Sequence, residues 1–568
     1  MKNIYSGILV PVLATALFAH AAGAANVKAE LAPLNPEFVQ YLQVVNSTAV
    51  LSALPAPNAV LGSAGRGFGR IPSPLLPVRG RALTAEENDS GLTYAPAYDL
   101  RDHGKVTAVK DQGACGDCWA FSAMGSMESY FMPNILDLSE ADLNANSGFD
   151  NGSCNGGNDY MSAAYLTRWS GPLPESSSGV IKHAQDIIFL TPRSGPADND
   201  RIKSALLAYG GVTAAFYYSD ANYNAATHAY YASVSAAGNH EVVIVGWDDN
   251  YDKANFNTVP AGNGAFLCKN SWGASWGDNG YFHVSYYDAV FSRSDYSSAF
   301  TGEPVGNYSR VYSYDKLGWV QNYGYSAVTA WYSNIFTAVA EEGLKAVGFY
   351  TNDSATAYTV YVYRGVNAGQ PVSGSLAYSA SGSFTSPGYH TVSVGYLPLS
   401  AGQRFSVVVK AVNASYTFPV PVEVKLTGYS GQASASGNSY MSGDGASWSA
   451  LPALAATLTN VPLKAYTSSQ PPEGVVALTD NLLRPLKNPA VKCKIALSIF
   501  SPGNVSVKIY TQNGGLVRTL YHGPQAIGSA NYLWDGRNDG GGLVASGVYL
   551  VHIKGPGTAK TEKVVVIK

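Results

Sequence analysis

Near residue 300 the chain changes character, and that change limits what it can fold into more than any single motif does. Before it, residues 94–300 mix helix-like and strand-like patterns. After it, aromatic and β-branched runs such as LKAVGFYT, AYTVYVYRG and RFSVVVKAV follow one another, separated by Gly, Ser, Asn and Asp, as the strands of a sandwich do. A chain of 568 residues is too long for one core, and three or four domains are expected. TSSQPPEG at 467–474 reads as a linker, with 468–474 as the connection proper. Residues 475–568 read as a last small β unit. In it, VSVKIYTQNGG is a strand entering a turn, and LVASGVYLVHIKG is a strand pair or one long bent strand.

The N-terminus carries the three parts of an export signal: Lys2, the apolar run ILVPVLATALFA at 8–19, and Ala22-Gly23-Ala24 as a small-residue cleavage site. No later run has the length needed to span a bilayer, so no transmembrane segment is expected. Charged residues make up 13% with a formal net charge of −3 and no basic block, which argues against a nucleic-acid partner. Residues 25–93, rich in Pro and Gly, read as a leader with exposed, cleavable backbone. NPEFVQYLQVV at 35–45 is a short helix within it.

The chemistry concentrates in KDQGACGDCWAFSAMGSMES at 110–129. Ala120, Met124, Met127 and Phe131 recur at helical spacing, so Cys118 stands at the start of a helix. IKSALLAY at 202–209 is a second helix, ended by Gly210 and Gly211. VTAAFYY and EVVIVGW are strands. Cys115 and Cys118 could be half a zinc site, but no second ligand pair follows Cys154. A redox CxxC should follow a strand in a βαβ setting, whereas a glycine-rich loop precedes this one. The remaining reading is a nucleophile. A thiol used that way needs a helix N-terminus, a histidine and donors for an oxyanion.

Four motifs in order bear on that reading: QGACGDCWAF (112–121), SCNGG (153–157), NHEVVIVGW (239–247) and KNSWGASWGDNGYF (269–282). Over roughly 94–290 the sequence resembles the papain family. The resemblance implies an α+β catalytic domain with a helical lobe and a β-barrel-like lobe, followed here by two β-sandwich domains. It implies Cys118 as nucleophile, His240 as its acid/base partner, Asn270 as the orienter of the imidazole, and Trp272 as a cover over that pair. Gln112 would join the Cys118 backbone N–H as oxyanion donor. Gly156, Gly157, Asp159 and Asn239 would line the substrate. Cys115 and Cys154 would form a disulfide, leaving Cys268 and Cys493 as buried thiols. A free thiol is about 3% ionised at pH 7. Lowering its pKa to about 3–4, as such pairs do, takes roughly 6 kcal/mol. A helix terminus supplies at most about 2 kcal/mol of that, so the imidazolium must supply most of it.

The activity implied is that of an exported cysteine endopeptidase acting on peptide or protein substrates, without metal or other cofactor. Two departures from the family pattern stand out. Asp117 precedes the nucleophile, where it caps the helix or opposes thiolate formation. Asp159 lies where relatives place an apolar wall of the pocket for the second residue before the cut. His183, His228 and His283 read as packing residues. Asp248, Asp249 and Asp252 read as a solvated loop in preference to a calcium site. Residues 301–467 resemble the lectin-like domain of some bacterial papain-like proteases, which makes a surface glycan a candidate partner. The final unit resembles the immunoglobulin-like domain of bacterial exported proteins, with Trp534 as its core anchor. The rival reading is an inactive papain-like scaffold retained for adhesion or carbohydrate binding. A thiol hydrolase or transferase on non-peptide amides fits the NSWG and CNGG motifs less well.

Overall fold

The computed structural model describes residues 29–45, 66–78, 93–176, 178–469, 475–479, 481–486, 492–499, 503–526 and 528–568. The export signal lies outside the described residues. Among them, no helix is long and apolar enough to cross a membrane.

The helical lobe is built on Cys118–Phe131, buried for most of its length, with Glu140–Asn146 and Asp159–Thr167 packed against it. Ser139 and Asn158 cap the latter two, each side-chain oxygen accepting the backbone N–H three residues on. The second lobe is a curled sheet. Its central strand, His240–Asp248, pairs with Val212–Phe216, Ala265–Lys269 and Ala97–Asp99. The expected helix at 202–209 spans Asp200–Tyr209 and stops at Gly210, whose φ of 89° a side chain would disfavour. The Cys118–Phe131 helix packs on the His240–Asp248 strand across the lobe boundary. Gly125 allows this close approach, since a Cβ there would lie 3.1 Å from Val243.

The boundary near residue 300 is not a gap. Ser297–Pro304 runs through it and pairs with Lys182–Leu190, which in turn pairs with Gly388–Leu399 of the following unit. The two units therefore share one six-stranded sheet. A second six-stranded sheet, centred on Arg404–Asn413 between Thr356–Arg364 and Thr329–Thr337, packs over it as a sandwich. The aromatics of this unit are largely core: Trp319, Tyr332, Phe349, Tyr350, Tyr389 and Tyr466 are all buried. The linker expected from 467 begins later. Thr467 and Ser468 end the strand Leu463–Ser468, where Thr467 Oγ1 donates to Glu342.

The C-terminal unit is a three-stranded and a five-stranded sheet around its own core. Trp534 is fully buried there and donates its Nε1–H to the Arg537 carbonyl at 2.9 Å. LVASGVYLVHIKG supplies one strand, Gly547–Gly555, and not a pair.

The leader departs most from expectation. Its helix forms at Pro36–Val45, with Phe38 buried edge-on against Tyr429 of the lectin-like unit. Glu30–Leu31 adds a strand to Gln321–Gly324 of the same unit. Residues 66–78, read as exposed and cleavable, are mostly buried, because they run through the cleft between the two lobes.

Candidate active site

Two elements bring the sequence-predicted residues together. Cys118 is the first residue of its helix and is fully buried. His240 is the first residue of the facing strand and is equally buried. Its Nε2 lies 2.8 Å from Asn270 Oδ1. That oxygen also accepts the Ser271 backbone N–H at 2.8 Å, which sets the orientation of the amide. An oxygen accepts only, so Nε2 carries the hydrogen and Nδ1 is left as the base. Nδ1 is buried without a hydrogen-bond partner. Trp272 stacks on the imidazole, with ring centroids 4.4 Å apart at 17°, and shields the His240–Asn270 bond from water.

Gln112 is held at both ends. Its backbone N–H donates to Ser271 O at 2.8 Å, and its Oε1 accepts from Ser271 Oγ at 2.6 Å. Its Nε2 is thereby turned toward the start of the nucleophile helix, where it donates to Cys115 O at 2.7 Å and to Gly67 O at 3.1 Å. Ser271 is a positioning residue that sequence reasoning missed, although it lies inside a quoted motif. The disulfide joins Cys115 to Cys154 and so fixes the loop before the nucleophile to the loop bearing Gly156 and Gly157. Gly116 and Asn155 form a backbone bridge beside it.

Those glycines face the leader. Gly157 N–H donates to Gly69 O at 2.8 Å, and Gly157 O accepts from Ile71 N at 3.0 Å, a parallel bridge centred on Arg70. A Cβ on Gly157 would strike the Trp119 ring at 2.3 Å, and one on Gly156 would meet Ile71 at 2.7 Å. Asn239 contributes only its carbonyl, which accepts the Arg70 N–H at 3.1 Å, because its side chain is tied to the Tyr218 backbone. Phe68 lies edge-on to both His240 and Trp272, at centroid distances of 5.8 and 5.9 Å. The leader thus covers the thiol, the imidazole and the Gln112 amide together.

Covering has an electrostatic effect. Burial pushes the Cys118 thiol well up, and the Glu241 charge adds to the shift. Burial also holds the His240 imidazole down at about 4, against the opposing hydrogen bond to Asn270. Both shifts favour a neutral thiol beside a neutral imidazole while the leader is in place. Asp117 does not cap the helix, since no side-chain cap hydrogen bond forms. One carboxylate oxygen accepts from Asn144 at 3.2 Å and the other is buried unpartnered. Burial raises its pKa to about 7, so near neutral pH it opposes the thiolate with only part of a charge.

Asp159 is buried below Gly157, its Oδ2 accepting from Thr213 Oγ1 at 2.7 Å and Ser298 Oγ at 2.6 Å. Beside it lies Glu241, which sequence reasoning passed over. Its signal was visible: an acid directly after His240 in an otherwise apolar strand. Glu241 Oε1 accepts from Ser122 Oγ at 2.8 Å.

The remaining candidates have local roles. His183 stacks on Trp169 at 3.6 Å, His228 meets Tyr223 Oη at 3.1 Å, and His283 stacks on Tyr251. Asp249 pairs with Lys203 at 2.6 Å, while Asp248 and Asp252 accept nearby backbone N–H groups. Cys268 and Cys493 are buried.

Comparison with known proteins follows the same division. Residues 94–300 match the family model for papain family cysteine protease, 311–467 that for the lectin like domain, and 492–558 that for the FlgD Ig-like domain. A viral cathepsin of Lymantria dispar multicapsid nuclear polyhedrosis virus is 32% identical over 206 residues, covering 33% of this chain and 53% of the relative. Cathepsin L of Sarcophaga peregrina is 30% identical over 222 residues, covering 34% and 62%. The chain thus spans between half and two thirds of the length of these curated relatives. Among solved structures, the clostridial cysteine protease Cwp84 after propeptide cleavage aligns with a TM-score of 0.58 and 26% identity, over 66% of this chain and 99% of that one. A structure of the cysteine protease and lectin-like domains of Cwp84, a surface layer associated protein of Clostridium difficile, shares the fold. Its TM-score is 0.62 at 24% identity, over 78% of this chain and 98% of that one.

Proposed function

We propose that this chain, which carries a papain-family cysteine protease domain at 94–300, is an exported endopeptidase synthesised with its active site covered by its own leader. The observation that carries the reading is the joint geometry of Cys118, His240, Asn270 and Gln112. A thiol at a helix N-terminus lies on the helix packed against the strand that His240 begins, the imidazole tautomer is set by Asn270, and the Gln112 amide N–H is turned toward the start of that helix.

With the leader gone, water and substrate reach the cleft, and the burial that keeps thiol and imidazole neutral is relieved. Cys118 then transfers its proton to His240 Nδ1. The thiolate attacks the substrate carbonyl, and the oxyanion takes hydrogen bonds from Gln112 Nε2 and the Cys118 N–H. His240 returns the proton to the leaving amine, giving a thioester on Cys118. Water deprotonated by His240 hydrolyses the thioester and regenerates the thiol. Gly157 holds the substrate backbone with the N–H and C=O that now hold residues 69 and 71.

The lectin-like unit has a part in the covered state. Tyr429 meets Phe38 of the leader helix, Phe149 of the catalytic domain and the Asn158 side chain, so one residue joins all three segments. Export fits the Cys115–Cys154 disulfide, which persists only in an oxidising compartment.

The test is reaction of the full chain, after cleavage in the leader, with a papain-type epoxide, followed by peptide mapping and a peptide-hydrolysis assay beside Cys118→Ala. A single adduct on Cys118, with hydrolysis abolished by either treatment, is expected. A folded, processed sample under reducing conditions that gives neither adduct nor hydrolysis would return the argument to an adhesion scaffold.

A further inference from the structure

A group of buried acids opposite Gly157 holds a cation. Three carboxylates converge on it from separate elements: Asp159 from the start of a helix, Glu241 from the histidine strand, and Asp295 from the loop before Ser297–Pro304. Asp159 and Glu241 are 5% and 1% exposed. Asp159 Oδ1 and Glu241 Oε2 are both buried without a hydrogen-bond partner. Without a cation among them, three buried acids, two of which carry an acceptor oxygen with no hydrogen-bond donor, would repel one another and lose their solvation.

The leader supplies the cation. Arg70 is 5% exposed, and its guanidinium reaches Glu241 Oε2 at 3.4 Å from Nε and makes an ion pair with Asp295 through Nη2. Its Nη1 donates to the Ile71 carbonyl at 2.9 Å. Burial of the guanidinium works against its charge, but Asp295 and Glu241 outweigh that and hold it fully protonated. Burial and the Asp159 charge push Glu241 well up, which favours its protonated form, while the Arg70 guanidinium opposes that shift. Arg70 is the residue opposite Gly157, so its side chain lies where a substrate residue held by the same glycine would put its own.

Building on the peptidase reading above, we propose that Asp159, Glu241 and Asp295 form a specificity pocket for a basic side chain. On this view the enzyme selects arginine as the second residue before the cut, and Arg70 occupies the pocket in the precursor as a stand-in for that residue. A planar guanidinium can meet acids on two sides at once, which a lysine ammonium does less well, so arginine is favoured over lysine. An apolar side chain in the pocket would leave the acids without a counter-charge.

The test uses the full chain after cleavage in the leader and fluorogenic peptides that differ only at the second residue before the cut. Arginine is expected to exceed leucine in kcat/KM by about 100-fold, the order set by leaving buried charge unpaired. Glu241→Gln combined with Asp295→Asn should remove most of that preference, read as the ratio of kcat/KM on the arginine peptide to that on the leucine peptide. Should the double variant not fold, the wild-type preference decides alone, and Asp295→Asn, at the least buried of the three acids, provides the second measurement. A wild-type preference for leucine or phenylalanine, with Cys118 labelled by the epoxide, would overturn the pocket and leave the peptidase standing. Absence of both label and hydrolysis would overturn the peptidase reading and the pocket with it.

Discussion

Gly69→Ala tests whether the leader holds the site closed. A Cβ at Gly69 would lie 2.2 Å from the carbonyl carbon and oxygen of Gly116, and 2.7 Å from Asp117 N. These are backbone atoms of the loop that the disulfide fixes, so they cannot give way as a side-chain tip would. The alanine has to lift the strand out. Around residue 69 the strand makes five hydrogen bonds: Gly67 N to Gly113 O, Gln112 Nε2 to Gly67 O, Gly157 N to Gly69 O, Ile71 N to Gly157 O, and Arg70 N to Asn239 O. At about 1 kcal/mol net each they contribute roughly 5 kcal/mol. Burial of Phe68 adds about 2 kcal/mol. Loss of even half of this, about 3.5 kcal/mol, raises the open population more than about 300-fold. The assay is the rate of alkylation of Cys118 in the unprocessed full chain, followed against pH. Wild type should react slowly, with its thiol held up and its imidazole held down by burial. Gly69→Ala should react at least about a hundredfold faster near neutral pH. A folded Gly69→Ala precursor alkylated at the wild-type rate would refute the covering argument.

Three further outcomes follow from the geometry. Gln112→Ala should cost about 10²–10³ in kcat with little change in KM, as loss of one oxyanion donor does, and Ser271→Ala should cost less because it only releases the Gln112 side chain. Asp117→Asn should change the pH dependence of stability. Its carboxyl is raised by burial to about 7, so its contribution is present below about pH 4 and is lost as pH rises toward 7. Denaturant titrations should therefore show wild type losing a few kcal/mol across that window, a slope the asparagine variant lacks. Replacing Cys115 and Cys154 together by serine opens a loop of sequence separation 39 and should cost about 4 kcal/mol, read as a lower unfolding midpoint with Cys118 still alkylated.

The sequence by itself determined the local elements and nominated the candidate reacting groups. Sequence pattern placed helices at 118–131 and 202–209 and a strand at 241–247, within a residue or two of Cys118–Phe131, Asp200–Tyr209 and His240–Asp248, because the spacing of apolar side chains is a property of the chain alone. The motif order named Cys118, His240 and Asn270, since those residue types suit one chemistry. Tertiary structure decided everything that depends on which distant segments share a space. Asp117 was ambiguous until the fold buried it against Asn144 in place of the helix N–H groups. The leader was irregular by pattern because its strand has no periodic partner of its own. Over 66–78 its hydrogen bonds come from the backbone of Gly113, Gly157 and Asn239. Asp159, Glu241 and Asp295 are 82 and 54 residues apart in sequence, and only packing of both lobes brings them around one guanidinium. Spacing cannot report such a convergence, because the energy that selects arginine there comes from desolvating three acids together.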